Sequence, residues 1–106
     1  MNTLKIKNDA ILINSIGQEL LFLKEDRISN NLGQPLGYFK ENFLYNMSDQ
    51  KLGSYKGQEI INLQEEVIGK VDNDEVINLY GQPIMKIIGK KNEDKIKIGT
   101  TFFFFF

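Results

Sequence analysis

The chain has 106 residues, of which 42% are hydrophobic and 25% charged, a composition typical of a single soluble globular domain. Lys and Arg total 13 against 14 Asp and Glu, so the net charge of −1 provides no broad attraction to nucleic acid or anionic lipid. Cysteine and histidine are both absent, which excludes disulfides, thiolate chemistry, the commonest metal ligand and the usual acid–base group. We therefore expect no cofactor, no metal and no enzymatic activity.

The first residues, Met1 to Lys7, lack the long apolar core of a signal peptide. No segment reaches the roughly 18 apolar residues that a membrane-spanning helix needs. These observations predict a cytoplasmic protein without a membrane span. A short strand near residues 3–7 is predicted to complete one edge of the fold.

A repeat of sixteen residues follows, with asparagine at a constant interval and Gln or Glu four positions after each one. The five pairs are Asn14 and Gln18, Asn30 and Gln34, Asn46 and Gln50, Asn62 and Glu66, and Asn78 and Gln82. The sequence thus predicts five copies of one small unit. The units lie at about 11–26, 27–42, 43–58, 59–74 and 75–90.

The middle of each unit reads Asn-x-x-Gly-Gln, the pattern of a tight turn. Asn can accept a hydrogen bond from the backbone two residues on, and glycine supplies the left-handed conformation of a type I turn with a bulge. Asp49 and Glu65 stand where glycine is expected. Because glutamate adopts positive φ at a cost of roughly 1 kcal/mol, the fourth turn is predicted to be distorted.

Short runs of β-branched and aromatic residues flank each turn, such as Ile11–Ile13 before the first turn and Leu20–Leu23 after it. A second, polar turn separates the units, at 25–26, 41–42, 57–58 and 73–74. The chain is therefore predicted to form an all-β antiparallel meander of about ten strands without a helix. A last strand is predicted near residues 95–99.

Three columns of the repeat predict how the strands pack. Two are aliphatic and are expected to form the core: Leu20, Leu36, Leu52, Ile68 and Ile84, and Leu12, Ile28, Leu44, Ile60 and Val76. The third column reads Leu21, Gly37, Gly53, Gly69 and Met85. Its three glycines predict a β-bulge, or a close approach of backbones that a Cβ would block.

The stretches 30–38 (NNLGQPLGY) and 46–54 (NMSDQKLGS), with the period, resemble the bacterial beta-flower repeat proteins. The resemblance covers residues 11–88 and implies short hairpins arranged like petals around a central axis, here in the five-petalled form. That family has no assigned activity, so the resemblance implies no catalytic residue. We expect a single repeat β domain over 1–101 and an apolar tail, 102–106, that is disordered or bound by a partner.

Three sets of repeat-equivalent side chains are candidate ligand-binding residues. Lys24, Lys40 and Lys56 could ring an anionic ligand such as a nucleotide, or could be solvated residues that protect strand edges. Gln18, Gln34, Gln50 and Gln82 could read a polar ligand or close their own turns by bonding backbone. Tyr38 and Tyr55 could form a stacking surface or serve cross-strand packing.

Carboxylates gather late in the chain, where they could hold a hard cation or form a solvated acidic edge. They are Glu65, Glu66, Asp72, Asp74 and Glu75. Our leading hypothesis is a non-catalytic interaction module that binds an unknown protein or self-associates through an end of the meander or the phenylalanine tail. The alternatives are a binder of a small anionic metabolite or nucleotide and, least favoured, an enzyme that uses carboxylates alone.

Overall fold

The computed structural model describes residues 8–106, which form ten strands and one helix. The predicted strand near residues 3–7 lies outside the described residues. The elements are β1 (Ala10–Ile13), β2 (Glu19–Lys24), β3 (Arg27–Asn30), β4 (Pro35–Lys40), β5 (Phe43–Asn46), β6 (Lys51–Lys56), β7 (Glu59–Ile61), β8 (Val67–Asp72), β9 (Glu75–Ile77), β10 (Pro83–Gly89) and α1 (Asn92–Phe105).

The ten strands form a closed antiparallel barrel. Each strand pairs with its neighbour in the chain, and β1 pairs with β10 to close the ring. The predicted antiparallel meander of hairpins around an axis is therefore confirmed. Closure pairs both sides of every strand in the described part of the chain, which removes the free edges through which β proteins aggregate.

The turns alternate between the two ends of the barrel. An asparagine turn, defined as the five residues from the repeated Asn to the following Gln or Glu, precedes each even-numbered strand, and a two-residue polar turn follows β2, β4, β6 and β8. We call the two ends of the barrel the asparagine end and the polar end. The asparagine turns are 14–18, 30–34, 46–50, 62–66 and 78–82.

The asparagine turns share one hydrogen-bond pattern. In the second turn, the Asn30 side-chain oxygen accepts from the N–H groups of Leu32 and Gln34, both at 2.9 Å. In the fourth turn, Asn62 makes the same two bonds at 3.0 and 2.9 Å. Glu65 there has φ of 64°, close to the 80° of Gly33. The prediction of a distorted fourth turn is wrong, because the asparagine bonds hold the glutamate in the left-handed conformation.

The predicted bulge is confirmed in every unit. The register shifts between Ile28 and Ser29 as β3 pairs with β4, and equivalent shifts occur in the other four asparagine-turn hairpins. The extra residue in each bulge belongs to the column Leu20, Leu36, Leu52, Ile68 and Ile84. This column is half-buried, whereas the column Leu12, Ile28, Leu44, Ile60 and Val76 is fully buried in the barrel.

Helix α1 corrects three predictions, the first of which is that the chain contains no helix. The strand predicted near residues 95–99 is helical, and Phe102–Phe105 of the supposed tail belong to the same helix. The helix contacts β1, β2, β6, β7, β8 and β10 and buries Ile96 and Ile98 in the core of the barrel. In a closed barrel every strand is already paired on both sides, so a further strand inside it would have no hydrogen-bonding partner. A helix can occupy the axis because it satisfies its backbone hydrogen bonds internally.

The glycine column accommodates the phenylalanines of α1. A Cβ added to Gly37 would clash with the backbone oxygen of Tyr45 and would lie 2.9 Å from Cζ of Phe105. A Cβ on Gly53 would clash with Cζ of Phe104 and would lie 2.7 Å from Cε2 of the same ring. Phe103 lies equally close to Gly69. The three glycines thus face inward, and the rings of successive helix residues occupy the space that side chains would fill.

Polar contacts fix the first turns of α1 at the polar end. The ammonium group of Lys97 lies 2.6 Å from Asp26, and that of Lys95 lies 2.7 Å from Asp74. The hydroxyl of Tyr55 donates to Glu93 at 3.0 Å. Since the helix begins among the polar turns, it ends at the asparagine end. No helix within residues 8–106 is long and apolar enough to cross a membrane.

Candidate binding surface

Large apolar side chains are exposed at the asparagine end. The two residues between the repeated Asn and the glycine position include at least one large apolar side chain in every unit. Those that are exposed, by between 55% and 87%, are Ile16, Leu32, Met47, Leu63, Leu79 and Tyr80. All five turns therefore present apolar groups to solvent on the same end of the barrel.

The turn itself does not require these apolar residues. The residue two after Asn contributes its backbone N–H to the asparagine oxygen, and its side chain takes no part in that bond. Ser48 and Gln64 occupy this position in the third and fourth units, where the same bond forms. Polar side chains are thus compatible with the turn, so its geometry alone does not explain the exposed apolar groups.

The end of α1 lies in the middle of this ring of turns. Phe106 is 66% exposed, and its ring stacks on Phe102 with centroids 5.8 Å apart. Phe102–Phe105 are half-buried against the barrel core. We define the apolar crown as the six exposed turn residues together with Phe106.

The crown has an acidic border. The asparagine turns contain Asp49, Glu65 and Glu66 but no Lys or Arg. The last turn of α1 also lacks basic residues, so none of its own side chains offsets the partial negative charge of its terminal carbonyl groups. Asp49 accepts a hydrogen bond of 2.6 Å from the hydroxyl of Tyr38, and this bond raises the pKa of Tyr38.

The structure does not bring the three predicted lysines together. Lys24, Lys40 and Lys56 end strands β2, β4 and β6 next to the polar turns and are exposed. The residue before each of them is buried inside the barrel, so by strand alternation the lysines point outward. They lie at one height on the outer wall, and helix α1 fills the axis between their strands.

The predicted glutamines are engaged within their own turns. The side-chain oxygen of each accepts a hydrogen bond from the amide nitrogen of the repeated asparagine, at 2.7–3.1 Å. The residues are Gln18, Gln34, Gln50 and Gln82, and Glu66 accepts the equivalent bond in the fourth unit. They bond to the asparagine side chain and do not form a ladder between units.

The two predicted tyrosines lie on opposite faces of the barrel wall. Tyr38 is on the outside, where its ring stacks on Tyr45 with centroids 5.3 Å apart. Tyr55 is inside, 7% exposed, with its ring edge-on to Phe39. Burial raises the pKa of Tyr55, and the hydrogen bond to Glu93 raises it further. The two rings do not form a common stacking surface.

The carboxylates that cluster in the sequence are separated in space. Glu65 and Glu66 lie at the asparagine end, whereas Asp74 lies at the polar end with its neighbours in the chain. Within residues 8–106, no group of three or more His, Cys, Asp or Glu could hold a metal ion. The polar end also has an open cavity of about 490 Å³, where Asp74 pairs with Lys95 and Tyr55 with Glu93.

Sequence reasoning missed the crown, although the signal is present in the repeat. The positions between the asparagine and the glycine of a tight turn are solvent-facing by the chemistry of the turn. In this chain those positions include Leu32, Leu63 and Leu79. Large aliphatic residues at solvent-facing positions of repeated turns are the signal in the sequence that predicts an exposed apolar surface at this end.

The fold and the site define a class: a closed barrel of five repeated hairpins that encloses a central helix and exposes an apolar crown at one end. The sequence matches the family model described as 5-fold beta-flower protein over residues 1–106, and the chain belongs to this family. The searches of curated proteins and of solved structures returned no match.

Proposed function

We propose that this chain is a non-catalytic interaction module that binds another molecule through the apolar crown. The observation that carries the proposal is the grouping of seven large apolar side chains, each more than half exposed, at one end of the barrel. If each exposes on the order of 100 Å², the crown offers roughly 700 Å², close to the ~800 Å² per partner of a standard protein interface.

The outer wall of the barrel gives a comparison. Its exposed large apolar residues among the described positions are Val67 and Ile88, at 40% and 43%. These two are on different strands, β8 and β10, which β9 separates. Single apolar residues of this kind are normal on protein surfaces, whereas several large apolar side chains exposed at the same end of a molecule are characteristic of interaction sites.

The alternative of a small anionic ligand has less support. It needs positively charged side chains that converge, and the three lysines point outward from separate strands of the wall. The axis of the barrel, where equivalent side chains would meet, is filled by Ile96, Ile98 and the phenylalanines of α1. The geometry favours protein recognition by the crown over ligand recognition at the axis.

A site-specific cross-linking experiment tests the proposal. A photoreactive side chain placed at Tyr80 is expected to capture a defined protein in the host cell, which mass spectrometry then identifies. The same side chain at Ile88, which is also apolar and exposed but lies on the wall, is the matched control. The captured protein, once purified, should bind the native chain and lose binding to the double variant Leu32→Asn/Leu63→Asn. Equal capture from both positions would refute a role for the crown.

A further inference from the structure

We infer that the partner bound by the crown is a cationic amphipathic protein segment, with an apolar face for the crown and Lys or Arg beside it. The inference rests on the proposed function and adds the chemistry of the partner. It follows from the charged residues of the asparagine turns, which are all carboxylates and lie in the third and fourth turns. Lys51 follows the third turn, but its ammonium group lies 4.0 Å from the centre of the Phe43 ring on the wall. Charge complementarity selects partners at interfaces even where apolar contacts provide most of the affinity.

Two sources of negative charge lie at this end of the barrel. The first is the set of turn carboxylates Asp49, Glu65 and Glu66, all exposed. The second is the C-terminus of α1, where the terminal carbonyl groups carry the negative end of the helix dipole and no basic residue lies in the last turn. A Lys or Arg that reached the middle of the crown would satisfy these carbonyls and pair with the glutamates at its border.

The same charges disfavour the other occupants of an apolar surface. If two copies of this chain met crown to crown, the carbonyl groups at the two helix C-termini would face each other without a hydrogen-bond donor between them. The charged turn residues on both sides would be carboxylates, which repel one another. An anionic membrane would be repelled, because surface binding to such lipids uses Lys and Arg beside the apolar residues, and the turns have neither. A segment with an apolar face and basic residues beside it matches both the apolar side chains of the crown and the turn carboxylates.

The repeat provides a charge variant that leaves the turn intact. Glu66→Gln installs the residue that the other four units use at this position for the same hydrogen bond. Glu65→Gly installs the residue that three other units use at positive φ. The double variant removes two charges while it keeps the turn chemistry of the fold. Asp72→Asn/Glu75→Gln is the matched control, since it removes two carboxylates at the polar end.

The experiment measures binding of labelled synthetic peptides by fluorescence anisotropy. One peptide is an amphipathic helix of Leu and Lys, the second replaces every Lys with Glu, and the third is oligolysine without apolar residues. We expect binding of the first peptide alone, with affinity that falls as salt is raised. Its Kd should rise roughly 3- to 10-fold for Glu65→Gly/Glu66→Gln, which corresponds to modest surface ion pairs, and less than 2-fold for the control. Leu32→Asn/Leu63→Asn should also raise the Kd.

The remaining outcomes separate this inference from the proposed function. Equal binding of the Leu–Lys and Leu–Glu peptides, with loss only in the apolar double variant, overturns the cationic partner and leaves the crown as a docking surface. The cationic partner is also overturned if sedimentation shows a concentration-dependent dimer that Leu32→Asn/Leu63→Asn abolishes, because the occupant is then a second copy of the chain. Crown-dependent binding to phosphatidylserine vesicles overturns it in favour of a membrane. No crown-dependent binding to any peptide also overturns it, and the cross-linking at Tyr80 then decides the proposed function by itself.

Discussion

Adding one methyl group at Gly53 tests the packing of the helix inside the barrel. In Gly53→Ala, the new Cβ would lie 2.7 Å from Cε2 of Phe104 and 2.9 Å from the backbone oxygen of Ile61. The ring can shift only if its neighbours yield, and the Ile61 oxygen belongs to strand β7 of the closed sheet. Overpacking of a filled core costs about 1–3 kcal/mol, and we expect the upper half of that range because one of the two neighbours is backbone.

A double-mutant cycle with Phe104→Leu isolates the contact. The leucine variant alone should cost about 1–1.5 kcal/mol as a partial loss of buried ring. Together with Gly53→Ala it should cost about 1 kcal/mol less than the sum of the two, because the smaller side chain leaves room for the new methyl group. Urea unfolding followed by circular dichroism gives the three free energies, and the single glycine variant should lower Tm by roughly 8–24 °C.

The control is Ser54→Ala on the adjacent position of β6, which alternates toward the outside of the barrel. It should change the free energy of unfolding by less than about 0.5 kcal/mol. If Gly53→Ala is as mild as the control, or if the cycle is additive, the phenylalanines of α1 do not press against the glycine column.

Three further predictions concern the turns and the buried tyrosine. Glu65→Gly should raise the free energy of unfolding by about 0.5–1 kcal/mol, because glycine adopts the observed φ of 64° without strain. Asn30→Ala should lower it by about 1–2 kcal/mol, since two backbone N–H groups lose their acceptor. Because the folded pKa of Tyr55 is raised, the folded state retains a proton that the unfolded state releases above about pH 10, so stability should fall as the pH rises from there. Tyr55→Phe should flatten this fall.

Matched variants control these measurements. Glu19→Gly removes a glutamate outside the turn proper, at the start of β2, and should not stabilise the fold. Asn31→Ala changes the neighbour of Asn30 that makes no side-chain bond in the turn, and should be close to neutral. Tyr80→Phe, in the exposed crown, should leave the alkaline fall in stability unchanged. A stabilising Glu19→Gly, a costly Asn31→Ala or a flattened profile in Tyr80→Phe would each contradict the corresponding argument.

The sequence predicts the barrel wall because the turns are encoded locally. The repeated asparagine, glycine and glutamine determine where the chain reverses, and the bulge follows from the glycine column. Helix α1 is different. Residues 95–101, KIKIGTT, alternate as a strand would and are rich in β-branched residues. The helix is imposed by its surroundings, since the closed barrel offers no free edge to a further strand and apolar contacts surround the axis on every side.

The candidate site residues could not be placed from repeat spacing alone. Equal spacing puts Lys24, Lys40 and Lys56 at one height, but it does not say whether that height faces the axis or the solvent. The bulge inserts one residue, so after it the alternation of inward and outward side chains is shifted by one position. Phe39 and Tyr55 therefore point inward, and the lysine that follows each of them points outward. The crown depends instead on the turn positions, whose exposure follows from local chemistry.

The fit between Phe103–Phe105 and the glycines breaks the five-fold symmetry of the barrel. Successive helix residues are rotated by about 100° about the helix axis, whereas successive hairpins of a five-membered ring are rotated by roughly 72° about the barrel axis. Because the two angles differ, helix side chains cannot match equivalent positions in all five hairpins. The three glycines of the column leave space for three phenylalanine rings, whereas the first and fifth hairpins have Leu21 and Met85 at the equivalent position. The helix is therefore held in one rotational orientation about the barrel axis. A partner that binds the crown would meet five hairpins that are not equivalent.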